Sequence, residues 1–457
     1  MKHAVVILAA GTGTRMKSRL PKVLHPLLGK PMVAYAVEAA IESGAERVVV
    51  VVGHGAEAVQ TALADYPVVF AHQAEQLGTA HALMQAEQAL EGFEGRVLVT
   101  YGDTPLLSGQ TLARLAGALE AREAGMVLLS LVLEDPTGYG RVLRGADGSV
   151  HAVVEEKDAG PEEKRVREVN SGVYAFDANL WAYLKEVRNH NASGEYYLTD
   201  LVQIYRAHGH RVVALEGEDP AELLGVNTRA HLAEVERILL ERLRRAWMLR
   251  GVRMIQPETI YLEPTVELAR DVTLWPGVIL RGRTRIGEGS VVGAYSVLVD
   301  TVVEADAEVR GHTVAEGAVI RAGAGAGPFA RLRPGAELEA GAHVGNFVEV
   351  KNARIGPGAK AGHLAYLGDA EVGEGANIGA GMITANYDGK RKHRTRIGKG
   401  AFIGSNAVLV APVEVGDGAL VGAGSVITQD VPAGALGVAR GRQRNIEGYA
   451  ERKRREE

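Results

Sequence analysis

Apolar residues recur every six positions through the second half of the chain, at Val314, Ile320, Ala326, Leu332, Leu338, Val344 and Val350. The register slips by one at Ile355, resumes at Ala361 and Leu367, slips again at Val372 and reaches Ile378. After an interruption it continues through Ile397, Ile403, Leu409, Val415, Val421 and Ile427. A period of six is neither that of an amphipathic helix nor that of a half-buried strand. It predicts short strands wound into a parallel β-helix, each coil burying its inward residues against the coils above and below. Glycine follows an apolar residue at Gly287, Gly345, Gly404 and Gly422, which suggests corners with unusual backbone angles.

The first half alternates differently. Residues 5–10, 48–52 and 97–101 are short apolar runs, and residues 33–43 have a helical pattern that ends near Gly44. This predicts an α/β, Rossmann-like domain with a mostly parallel sheet. Ligands of such sheets sit at the carboxyl ends of the strands, where Gly11 and Asp103 both fall. Between the halves, Leu232, Val235, Leu239, Leu243 and Trp247 recur among charged residues, the mark of an amphipathic linker helix. The expected order is a domain over 1–228, a linker helix over 229–250, coils over 251–440 and a tail over 441–457. The tail ends in mixed charge, Glu451-Arg452-Lys453-Arg454-Arg455-Glu456-Glu457, and reads as a solvated or disordered terminus.

Composition sharpens this picture in a few places. Of the 57 glycines among 457 residues, 34 lie in residues 251–457, so the two halves differ in kind. A net charge of -5 gives no reason to expect nucleic acid or an acidic membrane as the partner. The chain has no cysteine, which excludes disulfides, thiolate metal sites and a catalytic thiol. The apolar start passes directly into Gly11-Thr12-Gly13, as a buried strand would and a signal peptide would not. With no stretch apolar enough to cross a bilayer, the expectation is a cytoplasmic protein without membrane insertion.

Arg15 and Lys22 follow the glycine loop closely, and a loop leaving a strand can offer backbone N–H groups to phosphate oxygens. Alone, Gly-x-Gly is as easily a structural turn, Asp103 a helix cap and Asn227 a turn residue. The longer run is more specific: Leu8-Ala9-Ala10-Gly11-Thr12-Gly13-Thr14-Arg15-Met16, then Pro21-Lys22-Val23-Leu24. With Gln73 to Thr79, Tyr101-Gly102-Asp103, Gly138-Tyr139-Gly140-Arg141, Glu155, Asn170 and Gly225-Val226-Asn227, it resembles the sugar-phosphate nucleotidyltransferases. That resemblance implies attack of a sugar phosphate on the α-phosphate of UTP, with Arg15 and Lys22 stabilising charge and Asp103 and Asn227 holding Mg²⁺. Leu8, Ala9, Ala10, Gly11, Tyr101 and Gly102 would line the nucleotide site. Gln73, Gln76, Gly78 and Thr79 would read the uracil and its surroundings, while Gly140, Glu155 and Asn170 would hold the amino sugar. Thr12 stands where many relatives carry lysine, which implies weaker nucleotide binding if that lysine touches the triphosphate.

Two segments break the six-residue repeat. Gly362 to Asp369 places His363 in polar and aromatic company, and Asn386 to Lys392 forms a polar, basic loop. By themselves these could be an exposed histidine and a β-turn. Together with Gly327 to Pro334, Asn346 to Lys351 and Asn377 to Gly381, however, they make nearly the whole chain resemble one bacterial family. Its members combine N-acetylglucosamine-1-phosphate uridyltransferase and glucosamine-1-phosphate N-acetyltransferase activities. The resemblance implies a left-handed β-helix that forms a homotrimer, with acetyl-CoA bound between subunits. It also implies His363 as general base. Arg333, Lys351, Tyr366 and Asn377 would bind glucosamine-1-phosphate. Ala380, Asn386, Tyr387, Lys392, Ser405, Ala423 and Arg440 would form the acetyl-CoA surface. The product of the first reaction, N-acetylglucosamine-1-phosphate, would then be the substrate of the second. On the residues alone two alternatives stay open: a nucleotidyltransferase whose coils only oligomerise it, and a non-catalytic regulatory chain on the same folds.

Overall fold

Strand β1 (His3–Leu8) is buried along its whole length, as expected where helices cover both faces of a parallel sheet. In this computed structural model, which describes residues 2–191 and 193–455, β1 pairs in parallel with β2 (Arg47–Val52) and β4 (Arg96–Tyr101). Strand β2 in turn carries β3 (Val69–His72), also parallel. Beyond β4 come β8 (Glu168–Phe176), antiparallel to both neighbours, then β5 (Met126–Val132) and β9 (Val212–Glu216). A hairpin of β6 (Arg141–Arg144) and β7 (Val150–Val154) hangs from β8. The main path of seven strands is thus parallel except for β8, and the loops after β1 and β4 leave from neighbouring positions. The predicted first helix is present as Met32–Glu42.

The chain divides into two compact units, Met1–Leu239 and Leu240–Glu457. The division falls inside the long helix Arg229–Leu249. Its first half buries Val235 with Met16, Leu27 and Met32 of the first unit. In the second unit, Leu243 and Trp247 pack on the β-helix core, and the buried Arg244 donates from Nε to the Ile260 carbonyl at 2.7 Å.

The second unit is a parallel β-helix of three sheets with 11, 10 and 9 strands. Each coil sends one short strand to each sheet, so Ile279, Val297 and Val314 stack in register on one face. Inward Leu, Ile and Val residues from Leu262 to Ile427 form one continuous buried stack. Each is worth roughly 1.5–3 kcal/mol of burial, and each is shared only with adjacent coils.

Three sequence expectations are corrected here. Val314 faces outward, and the inward residue of its coil is Ala315. The shortened step therefore lies between Ala315 and Ile320. There, and at the slips before Val303, Ile355 and Val372, the corner is turned by a single left-handed residue: Gly317 (φ 55°), Asp300 (47°), Asn352 (45°) and Asp369 (48°). Secondly, Gly287, Gly345, Gly404 and Gly422 are not at positive φ. At Gly287 a Cβ would come within 2.6 Å of the Ala305 nitrogen on the next coil, and at Gly345 it would strike Gly362. Close stacking, not an unusual angle, excludes a side chain at these two positions. Thirdly, the charged tail is solvated as expected but is ordered, forming an exposed helix, Tyr449–Arg455; Glu456 and Glu457 lie outside the described residues.

Two candidate active sites

In the first unit the backbone brings the predicted residues to one crevice. The Gly102 N–H donates to the Leu8 carbonyl at 3.0 Å, which fixes the β1 and β4 ends side by side. The Val226 N–H donates to the Asp103 carbonyl at 2.8 Å and so delivers Asn227 from far along the chain. Around them the cations close in. Lys22 Nζ forms an ion pair with Asp103 Oδ2 and donates to Asn227 Oδ1 at 3.2 Å, while Arg15 donates to the same oxygen at 2.9 Å. A carboxylate and an amide oxygen thus converge on one cation.

Two cavities open from this point. One, of about 230 Å³, is lined by Leu8, Ala9, Ala10, Gly11, Lys22, Gln73, Gln76, Gly78, Thr79, Tyr101 and Asp103. The other, of about 490 Å³, is lined by Gly140, Glu155 and Asn170 together with Tyr139 and Tyr174. Thr79, Tyr101 and Glu195 border both, so the two adjoin. Gly102 is buried, and a Cβ there would come within 3.2 Å of Ala9, Val23 and Val33. The amide of Gln73 is held by the Gly78 carbonyl (3.3 Å) and by His81 (3.0 Å). Asn170 donates to the Tyr174 hydroxyl at 2.6 Å, and its backbone N–H donates to the Gly140 carbonyl at 2.9 Å. Burial pushes the Glu155 carboxyl above its usual range, and the charges of Asp158 and Asp200 add to this; the Thr199 hydroxyl, donating at 3.3 Å, opposes it.

Sequence reasoning missed the segment that closes this crevice. Tyr196 exchanges backbone hydrogen bonds with Leu77 (2.8 Å) and Ala80 (2.9 Å), and the Leu198 N–H donates to the Thr79 hydroxyl at 3.1 Å. Glu195, Tyr197 and Thr199 consequently face the cavities. The run Glu195-Tyr196-Tyr197 was the available signal. Arg141, quoted as part of a motif, is 2% exposed and paired with Glu156 at 2.7 Å, so it braces the hairpin rather than facing a ligand.

In the second unit the predicted residues form two lines. His363 is exposed at the end of strand Lys360–His363, just before a corner. Below it on the same corner the coils stack Ala380, Ser405 and Ala423, joined by Asn406 N–H to the Ala380 carbonyl and Gly424 N–H to the Ser405 carbonyl, both 2.8 Å. Arg440 donates to the Ala423 carbonyl at 2.8 Å and ends the line. Asn377 lies on the strand beside it, stacked on Lys360.

The other line follows the next sheet and its far corner. Arg333 is paired with Glu349 at 2.9 Å. Lys351 meets Lys392, and the contact and repulsion of that ammonium, with Arg333 adding, push the Lys351 amine below its usual range. A cluster of like charges of this kind is set to receive an anion. Tyr366 and Asn386 converge over Gly368, where a Cβ would lie 2.8 Å from Asn386 Nδ2. The loop from Asn386 to Lys392 is a small hairpin held by Asp388, which accepts from Lys390 N–H (2.7 Å), Arg391 N–H (2.6 Å) and His393 (2.7 Å). Those contacts lower its carboxyl to about 2. Tyr387 donates to the Gly389 carbonyl at 2.7 Å and is exposed.

Residues 5–158 match the model of the MobA-like NTP transferase domain, and residues 394–429 match the hexapeptide repeat of succinyl-transferase. The "Bifunctional protein GlmU" of Thermus thermophilus, from each of two strains, is 68% identical over 451 residues, covering 99% of each chain. The GlmU of Streptomyces avermitilis is 51% identical over 456 residues, covering 99% of this chain and 94% of its own. The chain belongs to the GlmU family. Its fold is accordingly a nucleotidyltransferase sheet followed by a left-handed β-helix of hexapeptide repeats. It is a bifunctional enzyme that acetylates glucosamine-1-phosphate from acetyl-CoA and then transfers uridylyl from UTP to N-acetylglucosamine-1-phosphate, releasing pyrophosphate.

Proposed function

We propose that the crevice of the first unit, assigned to residues 1–228, carries uridylyl transfer, and that the coils of residues 251–440 carry acetyl transfer. The linker helix over 229–250 joins the two, and the tail over 441–457 follows the coils. In the crevice, UTP lies in the smaller cavity and the amino sugar in the larger. A phosphate oxygen of the sugar phosphate attacks the α-phosphorus, and the bond to the β-phosphate oxygen breaks to release pyrophosphate. Positioning and charge screening supply most of the catalysis in such transfers. Arg15 and Lys22 provide the screening. Asp103 and Asn227 suit Mg²⁺: two hard oxygens already converge on a cation, and this ion is commonly bound by one or two carboxylates with phosphates and waters. When bound, the ion would neutralise phosphate charge. The convergence of Arg15, Lys22, Asp103 and Asn227 is the observation that carries this reading.

For acetyl transfer, the sugar's amine must lose a proton as its nitrogen attacks the thioester carbonyl, the C–N bond forms and CoA leaves as thiolate. His363 accepts that proton. Lys351, Arg333 and Tyr366 hold the sugar phosphate, and Asn377, on the strand beside the His363 line, completes the sugar's surroundings. The line Ala380, Ser405, Ala423 and Arg440 lies along acetyl-CoA, with Asn386, Tyr387 and Lys392 completing its surface. Because the two lines run along different corners, the complete site forms where one copy's first line faces its neighbour's second, in a homotrimer. Among the described residues no helix is long and apolar enough to cross a membrane, and we place the enzyme in the cytoplasm. The test incubates the protein with glucosamine-1-phosphate, acetyl-CoA, UTP and Mg²⁺, following CoA thiol and pyrophosphate separately. Release of both, with pyrophosphate dependent on acetyl-CoA, is expected; pyrophosphate from supplied N-acetylglucosamine-1-phosphate without any CoA release would reduce the coils to scaffold.

A further inference from the structure

Asp369 follows the His363 segment, yet nothing in the mechanism above uses it. It is 9% exposed and turns its corner at φ 48°. Its carboxylate accepts from two side-chain amides on the coils to either side: Asn352 Nδ2 to Oδ1 and Asn386 Nδ2 to Oδ2, both 2.6 Å. Its own N–H donates to the Lys351 carbonyl at 3.0 Å, and its carbonyl accepts from the Thr395 N–H at 3.1 Å. The residue therefore ties Lys351, Asn386 and the base of the hairpin into one frame.

An ionised carboxylate can only accept hydrogen bonds. Each amide it touches must therefore present nitrogen inward, and the sense of Asn386 follows from chemistry rather than from choosing between similar atoms. Asn386 Oδ1 is then left facing the other way. Among the described residues it has no hydrogen-bond partner, and it is not among the occluded polar atoms that lack one. The amide that carries it lies beside Tyr366, its nitrogen over Gly368, a glycine whose missing side chain lets the two side chains approach. An open acceptor at that place suits a donor N–H, and the attacking group of this reaction is an amine.

We infer that Asp369 is a positioning residue for acetyl transfer: it locks the Asn386 amide so that Oδ1 accepts one N–H of the sugar's amine and aims the nitrogen lone pair at the thioester. The base removes the amine's other proton. This rests on the assignment of Asn386 to the acetyl site.

The test uses the full chain. Asp369→Asn preserves side-chain size and tolerates the left-handed corner, but its amide can donate as well as accept, so Asn386 loses its fixed sense. The kcat of CoA release falls about a hundredfold, as misplacement of a reacting group does. KM for acetyl-CoA and the uridylyl transfer rate with supplied N-acetylglucosamine-1-phosphate stay at wild-type values. A second variant exchanges the pair, Asp369→Asn with Asn386→Asp. It restores one donor and one acceptor, so Tm recovers; the outward oxygen is now a carboxylate's, which favours the ammonium form and moves the pH profile of CoA release upward. Wild-type kcat in Asp369→Asn overturns the inference. So does an exchanged pair that regains full rate with an unshifted profile, because Asp369 is then only a corner residue. Undiminished CoA release in Asn386→Ala would instead remove the site assignment on which the inference stands.

Discussion

In the first unit Arg15 and Lys22, Asp103, and Asn227 come from three segments, the furthest residues 212 apart, and meet within hydrogen-bond distance. In the second, His363 and Lys351 belong to neighbouring coils but end strands on different sheets, and each belongs to its own line down the solenoid. The contrast follows from topology. An open α/β sheet sends every loop to one edge, so distant segments gather in a crevice. A β-helix repeats each position coil by coil, so its functional residues fall in rows. One chain completes a site by the first route, whereas the acetyl site, as proposed above, is completed by a neighbouring copy.

The largest effects separate the two sites. His363→Ala lowers CoA release by about 10²–10⁴-fold, the range of general-base contributions, and leaves pyrophosphate release from supplied N-acetylglucosamine-1-phosphate unchanged. Asp103→Asn does the reverse, costing pyrophosphate release on the order of a hundredfold with CoA release intact. Either variant damaging both reactions would mean the sites are not separate.

Stability probes the same division more gently. Ile403 is fully buried in the coil stack, so Ile403→Ala costs the β-helix roughly 2–5 kcal/mol. Calorimetry should show that loss in one transition only. Glu155 gives a smaller effect of opposite sign. Burial raises its folded pKa and that of Asp200, so their stabilising contribution is fully present below the unfolded carboxylate range, about 4, and is lost as pH rises through the raised values. Glu155→Gln therefore raises the Tm of the first unit at neutral pH, and the gain fades on acidification toward about pH 4. The same change raises KM for N-acetylglucosamine-1-phosphate.

Much of this is legible in the amino-acid sequence. The six-residue period announced the coils because burial in a solenoid repeats with the backbone. The glycine run with Arg15 and Lys22 marked the crevice because phosphate chemistry constrains a short segment. Other features left weaker traces. Val314 looked inward because a β-branched residue sits beside the small Ala315 that fills the core instead. The glycines after the inward residues looked like turn formers, although what excludes a side chain at Gly287 and Gly345 is the next coil. Tyr196 closes the nucleotide crevice through backbone hydrogen bonds, which its side chain does not advertise. Asp369 was in plain view, but its partners Asn352 and Asn386 lie 17 residues to either side.

The most direct test of the contrast is complementation between inactive chains. His363→Ala and Asn386→Ala chains, co-expressed and purified as mixed assemblies, should regain about a quarter of the wild-type CoA release, because that fraction of neighbouring pairs carries both lines intact. Lys22→Ala and Asp103→Asn chains mixed in the same way should regain no pyrophosphate release. Silence from the first mixture, or recovery in the second, would contradict a crevice completed by one chain and an acetyl site completed by two.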